Sequence, residues 1–454
     1  MKRSERLEFR LGTFGKIVPL LIAVALILWA AVSGSNVNGY VVAFFMAIIF
    51  GILMAKDEKA YGQAIIAGLT KPMFPVIALA VILAAISGKL ISGSGVVQTV
   101  AAAAIGAGFT GKLFAGATFV ITCLLAFSTG TSVGTYFVVI PILFPVGVMT
   151  GVAPIYMIGA IVSGAALGDN LAPISDTNIA SAATQEADLG KVVKTCMRYS
   201  IPAALVALVG FLTLTKVEEP PAVLESAQEV ASNPLSLVML LVPATIIALC
   251  LMKKHLITAL ACGAIVGIVV GLASGIYKVE DLLAFPGGFN VTGILTESIS
   301  GCMGTIAMLI GVFATLGILE ASGIFEDMGE SLSKLAKGPA STELTIVGCV
   351  GILSMITGVI SVAIVAMGSL VKELGERAGL DPYRRANLMD CAGCVFCFLA
   401  PWTVHCVIPA MKAAEFGEAF AIAPAAVPFV NFYSITMLVI LAIAILTGYG
   451  RKSK

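Results

Sequence analysis

Residues 164–185 read GAALGDNLAPISDTNIASAATQ, and the architecture follows from how this stretch is read. Asp169 and Asp176 stand seven residues apart in it, and the sequence upstream, from Pro154 to Leu167, is apolar. Pro173 has no backbone N–H and disfavours helix in the residue before it, so a helix running through here must break. At membrane depth a broken helix leaves carbonyl and N–H groups free, which is tolerated only where they line a protein or water cavity. Asp169, Ser175, Asp176, Thr177 and Asn178 make the break rich in oxygen, the ligand type that hard cations prefer. The stretch therefore predicts a cation site inside a membrane transporter.

The composition sets the class. Hydrophobic residues make up 59% of the 454, charged residues only 12%, and the mean hydropathy is +1.04. A soluble chain carries about 25% charged residues. Repeated apolar runs of roughly 17–25 residues mean a polytopic membrane protein. The net charge of +1 gives no bias toward nucleic acid. The basic N-terminus leads into an apolar run without a convincing cleavage site, so that run is expected to be the first span. The ten cysteines fall mostly within expected spans and are read as free thiols.

Spans are expected near residues 17–33, 38–54 and 72–89, with a weaker apolar segment at 93–107. Two apolar arms of about 16 residues, between 111 and 147, are joined by Ser128-Thr129-Gly130-Thr131-Ser132. Such arms are marginal for a core of ~30 Å and suggest a re-entrant hairpin with a polar tip. The broken helix follows at 155–184, then a span at 199–215. Residues 216–234 form an acidic linker with Pro220-Pro221. The same order then returns. Spans fall near 235–252, 256–276 and 296–319, followed by an amphipathic stretch at 324–337. A two-armed segment at 344–371 has Thr357-Gly358-Val359-Ile360-Ser361 at its tip. A helix over 386–410 is interrupted at Leu399-Ala400-Pro401-Trp402-Thr403, and a last span covers 419–447. The expected fold is thus an all-α polytopic membrane protein with two inverted repeats, 1–215 and 235–454. It has about ten spans, two re-entrant hairpins and two broken helices. Interrupted segments at matching places in two halves point to a transporter's binding site.

Charge is consistent with this topology. It puts 22 of the 27 Lys and Arg residues on the cytoplasmic side, including both termini, Arg384 and Arg385. Only Lys89, Lys112, Lys216, Lys278 and Lys412 lie outside, in keeping with the positive-inside rule. No Lys or Arg is left at membrane depth. Acidic residues there reduce to Asp169, Asp176 and Asp390, with Glu297 near a span end. Charges at that depth are costly and mark function. A bound cation or proton is then their natural partner, and the candidate cation ligands are Asp169, Ser175, Asp176, Thr177 and Asp390. Substrate contacts are expected from the tips and breaks: Ser128, Thr129, Gly130, Thr131, Ser132, Asn170, Thr357, Ser361, Thr403 and His405. Hydroxyls such as these also bond routinely to helix carbonyls. Cys391, Cys394 and Cys397 lack the second closed pair of a structural zinc site and are read as packing. No nucleotide-binding Gly-Lys-Ser/Thr loop and no nucleophile elbow is present, so neither ATP drive nor an enzyme is indicated.

Gly168-Asp169-Asn170-Leu171-Ala172-Pro173-Ile174-Ser175-Asp176-Thr177 resembles the Gly-Asp-(Lys)-x-(Ser)-Pro-x-Ser-Asp-Thr signature of NhaC-type sodium/proton antiporters. Ser128–Thr135 resembles that family's Thr-Gly-Ser-Ser-Trp-Gly-Thr stretch, and the likeness continues through Asp390–Cys394 and Ala400–Trp402. Two positions depart: Asn170 stands where the family often has Lys, and Val133 where it often has Trp. The resemblance implies an ion-transporter fold of inverted repeats, a homodimer and an elevator-like movement of a transport domain. It implies Na⁺/H⁺ exchange across the cytoplasmic (inner) membrane, with Asp169 and Asp176 holding Na⁺ or H⁺ in turn and no organic cofactor. Relatives of this type also exchange carboxylates or amino acids. A Na⁺-coupled transporter of a small organic anion or amino acid is therefore the alternative.

Overall fold

The structure, a computed structural model, describes residues 6–33, 37–218, 234–288 and 290–451. Most of the acidic linker and the extreme termini, with the basic residues they carry, lie outside the described residues. The chain is helical almost throughout. The first half holds α1 (Gly12–Val32), α2 (Val37–Met54), α3 (Glu58–Leu69), α4 (Met73–Ser92), α5 (Val96–Gly106), α6 (Gly111–Thr129), α7 (Ser132–Met149), α8 (Pro154–Leu171), α9 (Asp176–Thr184) and α10 (Leu189–Leu214). A 3₁₀ turn, Pro234–Leu240, then leads into α11 (Leu241–Leu251), α12 (Leu256–Ala273) and the short α13 (Val279–Leu282). A small hairpin, β1 (Ala284–Gly287) and β2 (Asn290–Thr292), is followed by α14 (Ile294–Gly301), α15 (Met303–Ala321), α16 (Ile324–Ser333), α17 (Pro339–Thr357) and α18 (Ile360–Arg377). The chain closes with α19 (Pro382–Leu399), α20 (Val404–Ala414), α21 (Val427–Val430) and α22 (Phe432–Thr447).

Among the described residues, ten helices or helix pairs are long and apolar enough to cross a membrane. The total equals the expected one, but the membership differs. The ten include α6, α7 and α17, which the sequence assigned to hairpin arms, and leave out α1 and α2, whose apolar stretches are shorter. The last expected span is not continuous. Its helices α21 and α22 meet at 57°, because Asn431 leaves helical geometry and its side chain takes the Ser434 N–H. The helix α3 and the β-hairpin were not expected, and α10 begins ten residues earlier than its predicted span.

The two hairpins are built alike. In each, a 19-residue and an 18-residue helix are joined by two residues, Gly130-Thr131 in one and Gly358-Val359 in the other. At 1.5 Å per residue the arms are roughly 28 Å long. They exceed the expected 16 residues because most tip hydroxyls already belong to helix ends. Gly130 and Gly358 adopt left-handed backbone, φ 67° and 66°, which closes each tip at no Cβ cost. The far ends of the first hairpin meet through Gly111 N–H and Thr150 O at 2.9 Å. Both broken helices open on an 18-residue segment with proline at its start, and Pro173 follows Gly130 by 43 residues, as Pro401 follows Gly358.

Two bundles result. The helices α6 to α10 pack with α17 to α22, while α1 to α4 pack with α11, α12, α14 and α15. In the first bundle α8 lies directly on α6, since Gly164 and Gly168 let it approach the backbone at Phe119 and Cys123. Across the seam α4 meets α7, and Gly88 stands against Pro141.

Charge burial departs from the expected picture. Arg384, Arg385 and Lys412 are all buried in the protein rather than free in aqueous segments. Glu343 is fully buried too and was not foreseen among the deep acids. It accepts from Arg384 Nε at 2.9 Å and from Arg451 Nη2 at 3.0 Å, while Arg384 Nη1 donates to the Tyr199 hydroxyl at 2.6 Å. Burial of these charges is tolerated because each finds an opposite partner.

Candidate functional site

At the first break Ala172 is extended and Ser175 starts α9, accepting the Thr177 N–H at 3.4 Å. The carbonyls that the break frees do not stay open. The Asn178 amide donates toward the oxygens of Asp169, Asn170 and Ala172 at 3.3, 3.0 and 3.0 Å. Sequence reasoning counted Asn178 as one more oxygen and missed its role as the donor that closes the end of α8. At the second break the Thr403 hydroxyl is directed at Cys397 O and Ala400 O, at 2.7 and 2.9 Å. Asn431 reaches Phe398 O at 3.4 Å.

Both tips and both breaks face one cavity of about 90 Å³. The first tip contributes Thr131, Ser132 and Gly134, and the second Gly358, Val359 and Ser361. The breaks contribute Asp169, Asp176, Thr177, Val404 and His405, while Met73, Ile77 and Leu256 close the side of the other bundle. Among the described residues, no Lys or Arg lines this cavity. Asp169 is buried and accepts from Ser175 Oγ at 2.7 Å, and Ser132 faces the same carboxylate through its hydroxyl and its backbone N–H. Ser175 Oγ and Thr177 Oγ1 lie 3.0 Å apart. Asp176, expected at depth, is exposed at the mouth, where it begins α9. His405 stacks on Phe398 at 3.9 Å between centroids, with its Nδ1 3.5 Å from Ser132 Oγ.

Other predicted contacts lie outside the cavity. Ser128 bonds back to Leu124 O at 2.7 Å, and Thr129 pairs with Thr135 at 3.1 Å. Gly130 packs against Ile174, so the first tip rests on the first break. Thr357 is spent on Val359 of its own tip, and Thr403 on its own break. Asn170 and Asp390 sit behind the cavity. Asn170 Nδ2 donates to Asp390 Oδ2 at 2.6 Å, and Asn170 Oδ1 accepts from Ser200 at 2.7 Å and Tyr433 at 2.8 Å. Thr177 also faces the Asp390 carboxylate, and among the described residues Asn178 Oδ1 is buried without a hydrogen-bond partner. Of the five predicted cation ligands, Asp169, Asp176 and Thr177 line the cavity with Ser175 supporting Asp169, while Asp390 sits behind it and is reached through the Thr177 hydroxyl and the Asn170 amide. Cys391 and Cys196 approach to 3.7 Å between sulfurs, and all ten thiols are free.

Comparison with known proteins places these features in a lineage. The profile of the Na⁺/H⁺ antiporter family matches residues 7–216 and 212–445. The chain is 25% identical over 384 residues to the Malate-2H(+)/Na(+)-lactate antiporter of Bacillus subtilis (strain 168), covering 80% of each chain. It is 24% identical over 417 residues to the Na(+)/H(+) antiporter NhaC of the same organism, covering 87% of this chain and 88% of that one. Against the NhaC antiporter of Alkalihalophilus pseudofirmus the identity is 21% over 381 residues, covering 80% and 81%.

Proposed function

This chain belongs to the Na⁺/H⁺ antiporter family, a family of transporters rather than enzymes, and on that premise we propose that it exchanges Na⁺ for H⁺ at Asp169 and Asp176. The observation that carries the proposal is the shared cavity: two carboxylates, tip hydroxyls and, among the described residues, no Lys or Arg. A carboxylate holds either Na⁺ or a proton, and that competition couples the two fluxes. Thr131, Ser132, Thr177 and Ser361 supply neutral oxygens. Ser175 holds one Asp169 oxygen and Ser132 faces the same carboxylate, so the ion would meet Asp169 beside the Ser132 hydroxyl.

The two bundles give this chemistry a vehicle. In our reading the bundle of hairpins and broken helices carries the site past the other bundle, along the seam between α4 and α7. The recurring helix lengths and the common 43-residue spacing support two inverted repeats, 1–215 and 235–454. We place both termini on the cytoplasmic side of the inner membrane and the chain in a homodimer.

A second reading is Na⁺-coupled movement of a small carboxylate or amino acid. One similar protein carries malate and lactate in its name, and lysines stand at the cavity mouth. Proteoliposomes with a trapped pH dye separate the readings. Proton movement driven by a Na⁺ gradient alone supports exchange. Silence until an organic solute is added selects the second reading, and silence under both conditions overturns the assignment.

A further inference from the structure

We propose that Lys253 and Lys254 form an anion subsite at the mouth of the site cavity, which takes the carboxylate of a small organic acid carried with the cation. The inference rests on the second reading above and names the residues that would recognise its substrate. A second cavity, of about 210 Å³, is lined by Lys253, Lys254, Cys250, Ile174 and Thr129, and it shares Thr131, Gly134 and Leu256 with the site cavity. The lysines therefore stand beside the approach to Asp176 and Asp169.

Their placement is specific. The helix α11 ends at Leu251, and its last carbonyls are closed by Lys253 N–H to Cys250 O at 2.9 Å and Lys254 N–H to Leu249 O at 3.0 Å. This ending needs a left-handed residue, normally glycine. Here it is Lys253, at φ 58°, and among the described residues only Glu186 shares that departure. This backbone turns the chain at the helix end, and both lysines line the second cavity beyond it. Both side chains are exposed, and neither makes an ion pair among the described residues. Two unneutralised ammonium groups at the mouth oppose a bare cation and draw in an anion, because clefts lined by one sign of charge focus the field. A carboxylate entering there meets the Thr129 and Thr131 hydroxyls next, and the cation on Asp169 and Asp176 beyond them.

The test uses the full-length transporter, with L-lactate and L-malate as probes and chloride as the control anion. Lys253→Gly combined with Lys254→Gln removes both charges while suiting the left-handed backbone; Lys253→Arg with Lys254→Arg keeps them. The first pair should raise the half-saturating concentration of the probe acid about tenfold at low salt and flatten its dependence on ionic strength. The arginine pair should restore both. An unchanged half-saturation in the Gly/Gln protein overturns the proposal. So does a wild type that moves protons on a Na⁺ gradient yet shows no saturable response to either acid. If the wild type moves no protons, the exchange reading fails on its own, and calorimetric binding of the acids still decides the subsite: loss in the Gly/Gln protein supports it, and no binding to the wild type overturns it.

Discussion

Asn170 on one broken helix donates a 2.6 Å hydrogen bond to the Asp390 carboxylate on the other, joining residues 220 apart directly behind the cavity. The same amide accepts from Ser200 and Tyr433, so one side chain serves three partners. Asn170→Ala leaves a buried carboxylate and two hydroxyls unmatched and should cost about 2–3 kcal/mol. A double-mutant cycle with Asp390→Ala should return a coupling of about 1–3 kcal/mol. Denaturant unfolding in detergent reads both, and strictly additive losses would mean that the bond contributes nothing.

Asp169 and its Ser175 partner separate the ion ligand from its support. Asp169→Asn removes the charge that binds Na⁺ and should lower Na⁺-driven proton flux by roughly 100-fold or more. Ser175→Ala keeps the charge but frees the oxygen held at 2.7 Å, and should raise the half-saturating Na⁺ concentration by about tenfold. Equal effects of the two substitutions would argue that Ser175 binds the ion itself.

The two hairpin tips should respond unequally to the same change. Gly130→Ala and Gly358→Ala each force alanine into left-handed backbone, at roughly 1–2 kcal/mol. At Gly130 the new methyl also meets the Ile174 side chain at 2.7 Å and its backbone at 3.0 Å, adding about 1–3 kcal/mol. At Gly358 the nearest atoms are 4.0 Å away. Thermal unfolding should therefore fall further for Gly130→Ala, and transport should fall with it.

Asp327 on the amphipathic α16 gives a pH signature outside the spans. Its hydrogen bond from Lys16, at 2.8 Å, and that from Arg6, also 2.8 Å, hold its carboxyl below the usual range against the cost of partial burial. A lowered native value stabilises the fold above the unfolded value of about 4, and that contribution is lost as pH falls through the native value. Because the pair is partly exposed, the loss should stay within about 1 kcal/mol. Asp327→Asn should remove this acid-side slope from the melting temperature while leaving neutral-pH transport intact. An unchanged slope would assign it to other carboxylates.

Local backbone chemistry made much of the architecture readable. Pro173 and Pro401 stand just past the ends of α8 and α19, where polar residues take over the freed backbone groups, whereas Pro141 and Pro145 sit inside the continuous α7; Gly130 and Gly358 close tips because only glycine takes left-handed backbone freely. Both effects act within a few residues, so the sequence alone located the breaks and the tips. It could not say which side chains share a face. Asn170 and Asp169 are neighbours in the chain, yet Asp169 looks into the cavity and Asn170 looks away, to Asp390. Ser132 and His405, 273 residues apart, meet across it. Glu343 passed unremarked because its partners, Arg384 and Arg451, lie 41 and 108 residues further on. Whether a buried polar group serves an ion, a neighbour or a helix end depends on which distant partner comes within about 3 Å, and only the packing of the two halves against each other decides that.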